Sequence, residues 1–346
     1  LFVAGFIRLK PQRKWVWVVG AVLQAVAAIA LALLALIGSG AIGGLLVLAA
    51  LVMLSLARGL SSIATKDVLG KTIAKRRRGT LMGWSGSVAG GATLVAGGVL
   101  MWFGDRPGNL ALAILLGVAA AGWLLNALCA ARIKEVPGSI EGGENAWDSI
   151  KLGLSLLRED RTFLHFNVAR ALLLSSALAL PYLALLGQQQ SGTELGGLGI
   201  LVVVSGLAAM VASPIWGKRA DQSSRRVMRD AAVGTVLCCL LGAALAWLPG
   251  DWTQSVLPYA AIYALLVIVH HGVRLGRKTY LVDIASQDNR ALYVALSNTL
   301  TGVLMLVVGG IIGALAQWLG SAMLLVVLAL TAVGAMFSAQ RLPEAE

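Results

Sequence analysis

Two arginines and a histidine stand inside long apolar stretches of this sequence, where a charged or chargeable group is costly and marks a candidate site. Arg58 lies eight residues before Lys66, about 12 Å inward at the helical rise of ~1.5 Å per residue, and Arg170 lies nine residues after Arg161, about 13 Å inward. A guanidinium keeps its charge when desolvated, so the chemistry these positions offer is recognition of an anion. His270 adds a group that titrates near neutrality, a proton-linked contact. Ser297, Asn298 and Thr301 cluster on one side of their helix and supply neutral donors and acceptors. Each has a plainer reading. The arginines can snorkel to the headgroups, His270 and His271 can be interfacial, and the Ser and Asn side chains can link helices. None of the 16 acidic residues lies deep in an apolar stretch, so no buried carboxylate for proton coupling is visible.

The elements that must position these groups follow from composition. The chain has 346 residues, 58% hydrophobic and 13% charged, with a mean hydropathy of +0.83. So much apolar surface cannot be hidden in one globular core, and a soluble enzyme, a disordered chain and a secreted disulfide scaffold are excluded. Apolar stretches long enough to cross a bilayer recur from Trp15 to Phe337. They predict ten spans, near residues 15–37, 42–64, 81–103, 110–131, 164–187, 196–216, 231–248, 256–275, 292–316 and 321–338. Cys129, Cys238 and Cys239 all lie in apolar stretches and define neither a disulfide framework nor a metal cluster. No metal or cofactor is expected.

The net charge of +12 comes from basic residues placed between spans, a pattern of membrane topology rather than of nucleic-acid binding. Basic linkers (residues 7–14, 66–80, 132–162, 217–230, 276–290) alternate with short ones poor in Lys and Arg, so the basic set and both chain ends are predicted to be cytoplasmic. The central linker carries Trp147, Ile150, Leu154 and Leu157 at helical spacing, which predicts a short amphipathic surface helix.

Shifting the chain by 212 residues aligns Arg13 with Arg225, Lys66 with Lys278, Arg78 with Arg290, Ser85 with Ser297 and Gly108 with Gly320, and it pairs Arg58 with His270. Spans keep register without a gap, which indicates duplication in parallel orientation. The first copy would begin about 50 residues before Leu1, so ten spans of an expected twelve are predicted to be present. The domains expected are residues 1–131, a first transmembrane half lacking its first two helices; 132–161, a cytoplasmic linker; and 162–346, a six-helix second half. Gly86 and Gly90, and Gly309 and Gly313, have the spacing that permits close helix approach.

The stretch Gly217 to Arg226, G-K-R-A-D-Q-S-S-R-R, resembles the loop signature of the major facilitator superfamily. Gly217, Asp221, Arg225 and Arg226 fall at matching places, while Ser224 stands where a second Gly is usual. In the first half Gly5, Arg13 and Lys14 match, but Leu9 replaces the acid. The resemblance covers the whole chain as architecture and is specific only at this loop. It implies an all-α, pseudo-symmetric helical bundle and a latch in which Asp221 meets a neighbouring helix N-terminus, with Arg225 and Arg226 at the boundary. The alternative is that the basic residues only anchor topology. The resemblance also implies that the helices carrying Arg58, Arg170 and His270 line a central cavity.

The function expected is secondary transport of a small solute across the cytoplasmic membrane, a bacterial inner membrane, by alternating access, with an organic anion as the substrate class toward which the arginines lean. Efflux of hydrophobic compounds and a non-transporting sensor are the alternatives. The Gly-Pro pair that marks the superfamily's drug/proton antiporters is missing, with Thr93 and Leu94 near its place. No nucleophile–base pair or H-E-x-x-H helix suggests an enzyme. The partners expected are the substrate, the bilayer and a coupling proton or ion, with no nucleic acid and with a monomer as the expected state.

Overall fold

The computed structural model describes residues 10–37, 40–102, 108–137, 146–191, 198–248, 250, 255–286 and 290–344. Every element among them is helical: α1 (Lys14–Ile37), α2 (Gly40–Thr72), α3 (Lys75–Trp102), α4 (Asn109–Ala131), α5 (Ala146–Glu159), α6 (Arg161–Leu172), α7 (Ser175–Ser191), α8 (Leu198–Trp247), α9 (Val256–Ile284) and α10 (Arg290–Gln340). A backbone facing lipid must satisfy its polar groups internally, which the helix does. Side chains such as Ile37, Ile42 and Leu306 are exposed, as lipid-facing side chains would be, and Trp102, Trp247 and Trp318 lie exposed at helix ends and at a helix joint, where indoles favour the membrane boundary.

Among the described residues, seven helical stretches, α6 and α7 counted together, are long and apolar enough to cross a membrane by length and composition. The ten expected spans are not resolved one by one. Two pairs merge, into α8 (50 residues) and α10 (51 residues), each with a helical path of about 75 Å summed over its two segments at ~1.5 Å per residue, enough for two crossings of a hydrocarbon core of ~30 Å. Each is interrupted at one residue: Ser223 in α8 (φ −162°, ψ 104°) and Gly320 in α10 (φ +73°, ψ 166°). The helix α3 falls outside the seven, and its sequence explains why: the basic run Lys75, Arg76, Arg77, Arg78 forms the first turn, and glycine recurs after it. The span expected over 164–187 divides at Leu173 and Leu174 into α6 and α7.

Helices also run past the apolar stretches that announced them. The linker expected over 217–230 is helical apart from Ser223, α2 continues to Thr72, and α9 continues to Ile284. Polar side chains at a membrane boundary do not stop a helix, because its hydrogen bonds are backbone bonds. The amphipathic helix expected near 147–157 is α5.

Contacts gather the described residues into two compact units. The first draws on 1–74, 102–153 and 285–296, the second on 75–101, 154–284 and 297–346. In the first, α1 packs against α2 and α4. Small side chains make this contact close, with Ala25, Ala28 and Ala120 forming its centre beside Trp123. Gln24 donates to Ser61 Oγ (2.9 Å) and to the Gly20 carbonyl (3.1 Å) there.

In the second unit, α7, α8 and α9 pack around Leu183, Cys239, Tyr259 and Leu266, joined by Leu324, Leu325 and Leu328 of α10. The helices α3 and α8 cross at backbone contact. A Cβ on Gly79 would lie 2.5 Å from the Gly217 carbonyl oxygen, one on Gly83 2.5 Å from that of Ser213, and one on Gly90 2.5 Å from Met210 N. The close approach expected from the Gly86 and Gly90 spacing is therefore present. Gly309 and Gly313 differ, since a Cβ at either meets nothing within 4 Å.

Candidate functional site

In the second unit, α6 and α7 run antiparallel to α9, as two contacts fix. Phe166 stacks on Tyr280 with ring centroids 5.4 Å apart. Ten residues further along α6 and α7, and ten back along α9, Ser176 Oγ lies 3.0 Å from His270 Nδ1. Arg170 and Arg277 fall between these contacts, each about one turn from the Phe166–Tyr280 stack. The two guanidiniums therefore lie at about one level of the packed helices.

What neutralises them is not a carboxylate. Arg170 Nη2 donates to Asn298 Oδ1 at 3.1 Å, and Arg170 Nε is buried without a hydrogen-bond partner. Arg277 Nη1 is likewise buried and unpartnered, and no ion pair to either arginine occurs among the described residues. Neutral polar groups neighbour Arg170 and Asn298 in the chain. Ser297 Oγ donates to Asn167 Oδ1 at 2.8 Å, and Thr301 Oγ1 donates to the Ser297 carbonyl.

The backbone is irregular at the same level. After Arg170 the regular bonding lapses: Leu174 N donates to Ala171 O and Ala177 N to Leu174 O, both three residues back. Ser176 Oγ caps the Leu173 carbonyl at 2.9 Å, and the neighbouring Ser175 Oγ is buried with no partner. A helix broken in mid-span is tolerated where it lies within protein or lines a cavity. His271, on the other side of α9, lies 3.5 Å from Ser213 Oγ.

The sequence-derived candidates thus separate. Arg170, Asn298, Ser297 and His270 belong to one neighbourhood. Arg58 lies in the first unit, exposed beside the buried Ala57, with no partner among the described residues. Ser85, aligned with the buried Ser297, is exposed. Arg277 was missed because the apolar stretch ends near residue 275 while the helix continues, and Asn167 and Ser176 because a neutral polar residue gives little hydropathy signal.

At the end of the spans where the loop signature lies, Asp221 Oδ1 accepts from Gly79 N (2.6 Å), and its Oδ2 from Thr80 N (2.7 Å) and from Thr80 Oγ1. The carboxylate thereby sits at the first turns of α3, where the helix dipole favours an anion. Gly217 is required there by the α3 backbone, and Arg78 of the same turn pairs with Asp283 at 2.8 Å. Arg225 donates to Leu342 O (3.0 Å) and to Glu344 (2.7 Å), while the Arg226 side chain is exposed. Ser224, in place of the usual Gly, donates to Thr279 Oγ1 at 2.8 Å.

The first unit has its own ionic hub, which the sequence did not announce. Asp67, fully buried, pairs with Arg13 (2.6 Å) and Lys71 (2.8 Å), with Arg290 at 3.9 Å. Glu135 accepts from the backbone amides of Arg13 (3.0 Å) and Lys14 (2.7 Å) and lies 3.3 Å from Lys71 Nζ. Among the described residues no group of His, Cys, Asp and Glu has the arrangement to hold a metal.

The sequence profile described as Major Facilitator Superfamily matches residues 1–269. No curated protein matches the chain in sequence. Solved structures resemble it closely in fold at low identity. A bacterial homologue of the iron transporter ferroportin, in an outward-facing state, superposes with a TM-score of 0.74 at 14% identity, covering 98% of this chain and 85% of that one. The E. coli fucose:proton symporter FucP gives 0.72 at 15% identity, with 99% and 87% covered. The human organic anion transporter MFSD10 (TETRAN) gives 0.70 at 16% identity, with 98% and 83% covered.

Proposed function

Because the chain belongs to the Major Facilitator Superfamily, a family of multi-pass membrane transporters and not enzymes, we propose that it is a secondary active transporter of a small organic anion, working by alternating access. The observation that carries the anion is Arg170: a guanidinium within a spanning helix whose described polar partner is the neutral Asn298. An unpaired charge in such a place is strongly unfavourable, and an anionic substrate relieves it when bound. His270, held by Ser176, is the titratable group nearest this site.

In this reading residues 1–131 and 162–346 are the two transmembrane halves, and 132–161 is the cytoplasmic linker between them. The same reading takes the ten expected spans with the basic linkers inside, which puts both ends of this chain in the cytoplasm of a bacterial cell. The bonds from Gly79 and Thr80 to Asp221 act as a cytoplasmic latch, made in one state of the cycle and broken in another.

The test is uptake of a panel of radiolabelled carboxylates and sulfonates into proteoliposomes containing the intact protein. Arg170→Gln is expected to lower anion transport by about 10- to 100-fold, the loss of a charge-assisted contact, whereas Arg226→Gln, at an exposed side chain, leaves it within about twofold. Equal transport by Arg170→Gln and the parent protein refutes the anion reading and favours a neutral or hydrophobic substrate.

A further inference from the structure

The Arg170 site contains more positive charge than one anionic group requires. The register fixed by Phe166–Tyr280 and Ser176–His270 brings Arg277 to the level of Arg170. Each guanidinium has a buried nitrogen without a hydrogen-bond partner, Nε of Arg170 and Nη1 of Arg277. No acidic residue stands on α9 between His270 and Arg277. The carboxylates nearest in the chain are engaged elsewhere: Asp283 binds Arg78, and Asp160 caps α6 by accepting from Phe163 N at 2.9 Å.

Two like charges with buried, unpartnered nitrogens at one level are stabilised when something of opposite charge comes between them. A single negative charge would leave one guanidinium uncompensated. The break at Leu173 and Leu174 and the unpartnered Ser175 Oγ, five residues beyond Arg170 and so about 7 Å further along the axis, add a helix N-terminus and a hydroxyl within reach of a long guanidinium side chain, both suited to oxyanion oxygens.

We propose that Arg170 and Arg277 together form a subsite for a group carrying two negative charges, a doubly charged oxyanion head, with Asn298 and Ser175 as its neutral contacts. The inference rests on the anion reading above and deepens it by fixing the charge of the substrate. Arg277 supplies the second charge. Its forked donors match two oxygens of a tetrahedral or planar oxyanion. The ligand-free protein bears the repulsion, and the dianion relieves it.

Sulfate and methanesulfonate are matched probes, since they share a tetrahedral sulfur head and differ by one charge. The intact protein in detergent is titrated with each at low millimolar concentration and constant ionic strength, where general salting by sulfate is small, and its thermal midpoint is recorded. Sulfate is expected to raise the midpoint at concentrations about 10- to 100-fold lower than methanesulfonate does. In Arg277→Gln that preference disappears while the weaker methanesulfonate effect remains, and the ligand-free midpoint rises, because an unpaired buried charge has been removed. Arg277→Lys, which keeps the charge without the fork, retains part of the preference and serves if the Gln variant does not fold. Equal response to the two probes in the parent protein, or a preference undiminished in Arg277→Gln, overturns the two-charge subsite. If methanesulfonate then still acts through Arg170, being lost in Arg170→Gln, the anion reading stands alone; if neither probe acts on the parent protein, both readings fall.

Discussion

Replacing Asp67 with Asn removes the carboxylate shared by three cations while leaving the shape of the side chain unchanged. The three lie at 2.6 Å (Arg13), 2.8 Å (Lys71) and 3.9 Å (Arg290), and all four side chains are at most 5% exposed. At an effective dielectric constant of ~20, these separations correspond to gross attractions of about 6, 6 and 4 kcal/mol. Repulsion among the cations and the dehydration of each group offset most of this sum. Removing one partner of such a buried set costs about 3–5 kcal/mol, because the remaining charges stay buried without compensation. Asp67→Asn is therefore expected to lower the unfolding free energy by about that amount, measured by tryptophan fluorescence during unfolding in mixed detergent and dodecyl sulfate. Arg13→Gln alone should cost a similar amount, since its side chain pairs with Asp67. In the Asp67→Asn background Arg13→Gln removes an uncompensated cation, so it should cost little, giving a coupling of at least about 3 kcal/mol. A loss below about 1 kcal/mol for Asp67→Asn, or a coupling below about 0.5 kcal/mol, refutes the hub as a stabilising element.

Two further outcomes follow from the α3–α8 crossing. Gly217→Ala sets a methyl 2.5 Å from the Gly79 carbonyl oxygen and 3.0 Å from Gly83 Cα, and should destabilise the protein by about 1–3 kcal/mol. Gly98→Ala, on the same helix α3 but with nothing within 4 Å, should instead stabilise by about 0.5–1 kcal/mol, and equal effects of the two on the thermal midpoint would contradict the close approach. Asp221→Asn keeps one acceptor oxygen but loses the charge and the second bond at the start of α3. Amide hydrogen exchange in the peptide containing Gly79 and Thr80 should speed up by about 10- to 100-fold, and unchanged exchange would mean that the carboxylate does not hold that turn.

Hydropathy located the helices because lipid contact demands long apolar runs, but it misjudged where they end. Polar residues interrupt the C-terminal parts of α2 and α9, so Lys71 and Arg277 looked like linker residues although both lie on helices. Depth along a helix was also readable, and it gave Arg58 and Arg170 nearly the same standing. Direction around the helix was not, and there the two part: Arg58 is exposed, Arg170 reaches Asn298. Partners far apart in the chain left no trace. Asp67 looked like an ordinary span end, since Arg13 is 54 residues before it and Glu135 is 68 after. The aligned glycines Gly108 and Gly320 are alike in sequence and unlike in backbone: Gly108 takes φ −64°, open to any residue, and Gly320 takes φ +73° with ψ 166°, a conformation almost confined to glycine.

The joints at Ser223 and Gly320 have a mechanical meaning. A connection of one residue has no slack, since adjacent Cα atoms are held about 3.8 Å apart. The helical segments on either side of Gly320 can swivel about its two dihedrals, but neither can slide or withdraw without hauling the other by nearly the same distance. Those flanking Ser223 are tethered in the same manner, and one of them carries both Asp221 and the glycines that meet α3. A pull applied at the Asp221 end is therefore passed on to the far segment of α8, whose Cys238 and Cys239 are embedded in the core of the second unit. A local tug on one segment would therefore displace its neighbour instead of being taken up by slack in the connection.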